Sequence, residues 1–409
     1  MSPSTTARPT APVSRGARPR RLSRPVAFGA LAAIFILFMA ASAAPSPLYV
    51  VYQHEWAFSA STLTVVFAVY VVGLLGSLLV LGALSDHIGR RPVLAMAVGL
   101  EAVALLFFIT AGNVGLLLVA RFVQGIATGA AMTTLGATLV DLNPPHAPGR
   151  AGVVVGVAPS VGLALGAVWC GALVQFAAAP TRLIYALLLA GVVLAAIVVA
   201  VMPETSARRP GARASLIPKV SIPTRLRPDL YALLPVLVAT WAVGGLYLSL
   251  GPSVAATIFG LQNHLIGGLA VALLCTPAAV TSFALRAWST PRLLTLAALL
   301  LAVGMVMTLV GIAVDSIGLA IVGTLTAGVG FGASALGYFG TLARMAAPHE
   351  RGELFAVAFV MSYLAFAIPA LAAGFASTSA GLRDTTVVYG VVVAVLAVIA
   401  LVTQRVRAR

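Results

Sequence analysis

Runs of roughly 20 apolar residues follow one another almost from end to end of this 409-residue chain. A run of that length can cross a ~30 Å hydrocarbon layer as an α-helix. Cutting at polar and turn-forming residues gives approximate spans 26–50, 60–84, 92–111, 114–140, 151–177, 182–202, 230–257, 264–286, 291–313, 316–342, 354–377 and 385–404. These twelve segments are too long for barrel strands of about 9–11 residues, so they predict an all-α polytopic membrane protein. Composition points the same way. Only 9% of residues are charged and 61% are hydrophobic, whereas a soluble domain carries about a quarter charged residues. That deficit cannot coat a water-facing surface and argues against a soluble enzyme.

The polar gap from Glu204 to Asp229 is much longer than any other and divides the spans six plus six. The expected organisation is a disordered basic tail (1–25), a six-helix half (26–203), a linker (204–229), a second six-helix half (230–404) and a short basic tail (405–409). The formal net charge of +15 invites a nucleic-acid reading, but neither basic cluster carries the interleaved aromatics that stack bases. Membrane topology accounts for the charge better. If the N-terminus is inside, the even-numbered connections and both tails hold 22 Lys and Arg, and only Arg182 and Arg383 lie on the other side. That is a strong positive-inside pattern, and it predicts that both termini are cytoplasmic.

The Arg-rich start and Ala41–Ala44 imitate a signal peptide, yet removing span 1 would reverse this pattern, so span 1 is expected to stay. Shifting the chain by 201 residues superposes Arg150 on Arg351 and Ala164 on Ala365, in keeping with duplicated halves. Cys170 and Cys275 sit inside apolar runs as buried thiols, so a disulfide framework and cysteine metal binding have no support. One Lys among the 25 basic residues, with abundant Ala, Gly and Val, suggests a bacterial origin and hence the plasma (inner) membrane.

Between spans 2 and 3 the chain reads GALSDHIGRRPVL, Gly82 to Leu94. A turn this short closes two antiparallel helices tightly, with Gly82 and Gly89 allowing close approach or positive φ. Asp86 and Arg90 can form a charge cluster at the membrane edge. The string resembles the signature of the major facilitator superfamily, GxLSDRxGRRxxL, matching at Gly82, Leu84, Ser85, Asp86, Gly89, Arg90, Arg91 and Leu94. It departs only at His87, a residue that can change charge between pH 5 and 8 and so could tune the cluster. The resemblance implies that fold and a conformational latch. In that latch Asp86 meets the opposite half near span 11, and Arg90 meets Asp141 at the end of span 4, holding the outward-facing state.

Span 4 contains RFVQGIATG, Arg121–Gly129, which resembles the family's RxxQGxxxG motif. A guanidinium in hydrocarbon is costly unless paired, so Arg121 should face the bundle interior, with Gln124 three residues on and on the same face. Span 5 resembles the antiporter motif at Gly162, Gly166 and Gly171, but Ala167 and Cys170 replace its proline and a glycine; small-residue helix packing explains the same glycines. Glu101 is the one acid well inside an apolar run, a candidate coupling site by default. The resemblance implies, however, that span 3 lies outside the bundle, away from the cavity. It also implies a cavity lined by spans 1, 4, 7 and 10, which makes Trp241 and Tyr338 cavity candidates, with Tyr70 near mid-span 2. For Tyr49, Tyr52 and Tyr363, interface anchoring or packing is the expectation.

The reading is a secondary transporter moving a small solute by alternating access, with proton-coupled export of an amphipathic or drug-like compound ahead of proton-coupled uptake of a small metabolite. A non-transporting sensor is a third reading, disfavoured by the intact latch string. The chain shows no GxxxxGK[ST] loop. Its five histidines are scattered, so no constellation for a membrane enzyme is visible. The expected partners are a small-molecule substrate, protons and the lipid bilayer, with no nucleic acid, cofactor or metal, and the chain is taken to work as a monomer.

Overall fold

The computed structural model describes residues 21–147, 149–217, 222–261, 263–345, 347 and 351–407. The basic tail expected at 1–25 and the last two residues thus lie largely outside the described residues. The elements are α1 (Arg24–Ala43), α2 (Pro45–Trp56), α3 (Ala60–Leu81), α4 (Leu84–Ile88), α5 (Arg90–Thr110), α6 (Val114–Asp141), α7 (Arg150–Phe176), α8 (Pro180–Val201), α9 (Ala212–Ser215), α10 (Arg227–Ser249), α11 (Gly251–Thr257), α12 (His264–Ala284), α13 (Thr290–Ala313), α14 (Ile317–Met345), α15 (Arg351–Ala380) and α16 (Leu382–Arg407). Among the described residues twelve helices are long and apolar enough to cross a membrane. Span 1 comprises α1 and α2, span 2 is α3, and spans 3 to 6 are α5 to α8. Span 7 is α10, continued by α11, and spans 8 to 12 are α12 to α16.

Span 1 is longer than its apolar run, 33 residues from Arg24 to Trp56, and it breaks at Ala44. The break follows from Pro45 and Pro47, which lack the N–H that an α-helix donates four residues back. The carbonyl of Ala41 is thereby released from the helix ladder, a point that matters at the candidate site. Side chains cap three helix starts on the face away from the termini: Ser59 accepts from Thr62 N, Asn113 from Leu116 N and Asn263 from Leu265 N. Arg150 and Arg351, superposed by the 201-residue shift, both begin helices, α7 and α15.

Helices α1 to α8 form one half and α10 to α16 the other, and the halves meet along two seams, α7 on α12 and α3 on α15. In a bilayer, lipid is as apolar as a leucine side chain, so such seams rest on close packing rather than on hydrophobic burial. Both close toward the face opposite the termini. A Cβ on Gly374 of α15 would come within 2.0 Å of Thr64 Oγ1 at the start of α3, and one on Gly268 of α12 within 2.2 Å of the Ala167 carbonyl. Gln175 Oε1, near the end of α7, accepts from the His264 backbone N–H at 3.0 Å. Toward the terminal face, by contrast, Gly152 and Gly156 of α7 face open space. The outer surface is greasy, with Trp169, Phe176 and Val388 all more than 60% exposed, as a lipid-facing surface must be.

Candidate functional site

At the terminal face the turn between α3 and α5 is organised by Arg90, which is almost fully buried. Its guanidinium pairs with Asp86 Oδ1 at 2.7 Å and Asp141 Oδ2 at 3.2 Å, and it donates to Ser85 Oγ at 2.5 Å. Thr205 Oγ1 adds a bond to the same Asp141 oxygen at 2.9 Å. Arg91 turns the other way and donates to the carbonyls of Val199 and Ala200 at the end of α8. The cluster expected from Asp86, Arg90 and Asp141 is therefore assembled within one half. The side chains at the start of α15 that the latch was expected to meet lie outside the described residues.

In the sequence Glu204 is simply the first residue of the polar gap, yet it is the keystone of this turn. Its carboxylate accepts from the backbone N–H groups of Arg90 at 2.8 Å, Arg91 at 3.2 Å, Thr205 at 3.0 Å and Ser206 at 3.1 Å. An acid here meets the positive end of the α5 dipole and its unsatisfied donors. Gly89 is required for the same reason: its φ is 112°, and a Cβ would lie 2.6 Å from Glu204 Oε2. Residues 206–210 continue over the turn, where Ser206 Oγ and the Arg209 N–H donate to the Asp86 carbonyl. The Nδ1 atom of His87 stands 3.0 Å from the carbonyls of both Arg209 and Pro210. Carbonyls only accept, so the ring presents its N–H there, to the linker and not to the charge cluster. The signal available in the sequence was an acid directly after Pro203, where the last apolar run of the first half ends.

Inside the first half, the polar side chains of spans 1 to 4 meet in one fully buried cluster. Arg121 Nη1 donates to Gln124 Oε1 at 2.7 Å and to the Ser42 carbonyl at 3.1 Å. Gln124 Nε2 donates to the Ala41 carbonyl at 3.0 Å and to Glu101 Oε1 at 3.1 Å. The Ala41 carbonyl is the one that Pro45 leaves free. The guanidinium lies 4.4 Å from the Tyr70 ring centroid and 5.9 Å from that of Tyr49, a cation–π arrangement, and Ser42 Oγ donates to Tyr70 OH at 2.8 Å. Close backbone approach sets this geometry: a Cβ on Gly125 or Gly129 of α6 would lie 2.1 Å from the Tyr70 carbonyl or 2.5 Å from that of Leu74 on α3. Several polar atoms in and beside the cluster have no protein partner: Glu101 Oε2, Arg121 Nε, Tyr49 OH and Thr128 Oγ1. Buried polar groups are nearly always satisfied, which sets these atoms apart from the rest of the first-half core.

Span 3 sits at the edge of the first half, with α5 packed on α6 and α8, as the resemblance implies; it turns its Glu101 face onto α6 and leaves this side chain fully buried. Tyr49 and Tyr52 are packing residues of the first-half core; Tyr52 stacks on Trp56 at 4.5 Å and donates to Tyr185 OH at 3.4 Å. Tyr338 is 2% exposed and belongs to the core cluster of the second half, with Leu293 and Leu294. Trp241 belongs to an aromatic wall, 6.2 Å from Phe331, 5.4 Å from Tyr363 and 6.0 Å from Phe366, with Phe67 of the first half 4.9 Å beyond Phe366. The α7 glycines work in packing: Gly162 and Gly166 admit the α1 backbone, and Gly171 admits that of α12. Among the described residues no three His, Cys, Asp or Glu side chains come together to hold a metal ion.

The family model described as Major Facilitator Superfamily matches residues 29–369. The chain belongs to that superfamily. Curated relatives align over shorter stretches. The MFS-type transporter paaT of Penicillium rubens is 35% identical over 102 residues, 25% of this chain and 19% of that protein. The multidrug resistance protein MdtL of Shewanella sp. strain ANA-3 is 38% identical over 79 residues, 19% of this chain and 20% of that protein. The chain thus spans about a fifth of the length of these relatives. Similar solved structures cover far more. The xylose transporter XylE of E. coli, in a partially occluded inward-open conformation, has a TM-score of 0.72 at 15% identity, over 92% of this chain and 96% of that one. A bacterial homolog of the human lysosomal transporter Spinster, inward-facing and unoccupied, has a TM-score of 0.71 at 14% identity, over 93% and 97%. They share the superfamily fold, twelve helices in two halves, on which secondary transport by alternating access is built.

Proposed function

We propose that this superfamily member exports a small amphipathic, drug-like solute across the plasma membrane in exchange for protons. The terminal face is cytoplasmic, because it carries nearly all of the arginines. With the seams closed on the opposite face, the structure then corresponds to the inward-open arm of an alternating-access cycle. The aromatic wall around Trp241 supplies an apolar, polarisable surface for the solute. Export is favoured by the short similarity to a multidrug resistance protein.

The observation that carries the coupling is the placing of Glu101 and Arg121, the acid and the base that lie well inside the hydrocarbon depth. They are bridged by Gln124, and one carboxylate oxygen and one guanidinium nitrogen have no protein partner. A carboxyl in this setting can take up and release a proton, and the cation two bonds away senses the change. In proteoliposomes loaded with amphipathic aromatic dyes of each charge type, an imposed proton gradient should drive at least one dye against its own gradient. Dye movement indifferent to the proton gradient for the whole panel contradicts the coupling.

A further inference from the structure

Outside the transport path, α5 and α8 leave a groove of about 430 Å³ between them. Its walls are apolar, with Ala95, Gly99 and Ala102 on α5 facing Val192, Ala196 and Ala200 on α8. Helix packing does not explain the glycine among them: a Cβ on Gly99 would meet nothing within 4 Å. The groove runs along α5 from Arg91 to Ala102, about 16 Å at 1.5 Å per residue. That is half of a ~30 Å hydrocarbon core, or the depth of one leaflet.

The mouth of the groove, at the terminal face, holds Arg91, Arg208 and Glu204. Glu204 is already saturated by four backbone N–H groups. Arg91 is bonded to neutral carbonyls. Arg208 touches Glu204 only at 4.0 Å, and its side chain is 61% exposed. Two guanidinium groups against one carboxylate leave a net positive mouth above an apolar slot one leaflet deep.

We propose that this groove binds one anionic phospholipid of the terminal-face leaflet, its phosphate on Arg208 and Arg91 and one acyl chain along Gly99. Length, apolar lining and charge all fit that occupant. The site does not depend on what is transported.

The test uses the full chain in proteoliposomes doped with phosphatidylglycerol or phosphatidylcholine carrying a photoactivatable group in the tail, with labelled residues mapped by mass spectrometry. Phosphatidylglycerol is expected to label residues 92–102 and 192–200 several-fold more than phosphatidylcholine does. Arg208→Ala should remove most of that preference and Arg208→Lys should keep it. Gly99→Leu, which fills open space without disturbing the fold, should cut labelling by both lipids. Equal labelling by the two headgroups, or labelling unchanged by Gly99→Leu, overturns the proposal. So does full competition by soluble glycerol phosphate, which would make the site one for small anions rather than for lipid.

Discussion

Gly89 and Glu204 form a single device at the residue scale, since the glycine admits the carboxylate that caps α5. Gly89→Ala must force an alanine into a positive-φ conformation and push against Glu204, a cost of about 1–3 kcal/mol. Thermal unfolding of the purified protein should show this loss. It should shrink when Glu204→Ala is already present, because the two substitutions remove one shared contact; full additivity would contradict the capping role. Arg121→Ala leaves Gln124 and Glu101 buried without their cation, and should destabilise by about 3–5 kcal/mol, read in the same way. Arg121 and Gln124 were legible because residues three apart share a helix face. The inward turn of Glu101 was not. A run that is hydrophobic all round carries no phase, so sequence alone does not say which side of α5 meets α6.

At the scale of elements, the break in span 1 couples backbone to site. Pro45→Ala restores an N–H that can reclaim the Ala41 carbonyl, in competition with Gln124 Nε2. The expected result is unchanged or higher thermal stability together with a lower ratio of protons moved to solute moved. A fall in stability with the ratio unchanged would detach the break from coupling. The seam between α7 and α12 makes a second element-scale claim. Gly268→Leu places a side chain where the Ala167 carbonyl lies, so it should prop the halves apart. A cysteine pair at Gln175 and His264 should crosslink readily in the parent chain and several-fold less with Gly268→Leu. The twelve spans were visible in the apolar runs, and their ends moved by only a few residues. The exceptions are span 1, where the helix continues past the polar residues Tyr52–Glu55 to Trp56, and the linker, whose residues 204–210 dock on the α3–α5 turn. Composition alone counts those linker residues as loop because it registers their polarity and not the donors waiting at the start of α5.

For the molecule as a whole, two halves meet along seams on one face, and the buried cluster of Glu101, Arg121 and Gln124 lies in the first half. The second half contributes Trp241, Phe331, Tyr363 and Phe366 to the aromatic wall and has its acidic and arginine residues at helix ends and in loops; in the proposed function, solute contact falls to that wall and proton handling to the cluster. The superfamily was readable from the signature at Gly82–Leu94. The most direct test of the account is Glu101→Gln in proteoliposomes, since glutamine can still accept from Gln124 but cannot cycle a proton. With an amphipathic dye that the wild-type chain accumulates under a proton gradient, the variant should still exchange dye down its own gradient and should lose gradient-driven accumulation. Accumulation at the wild-type level would contradict the assignment of proton coupling to Glu101.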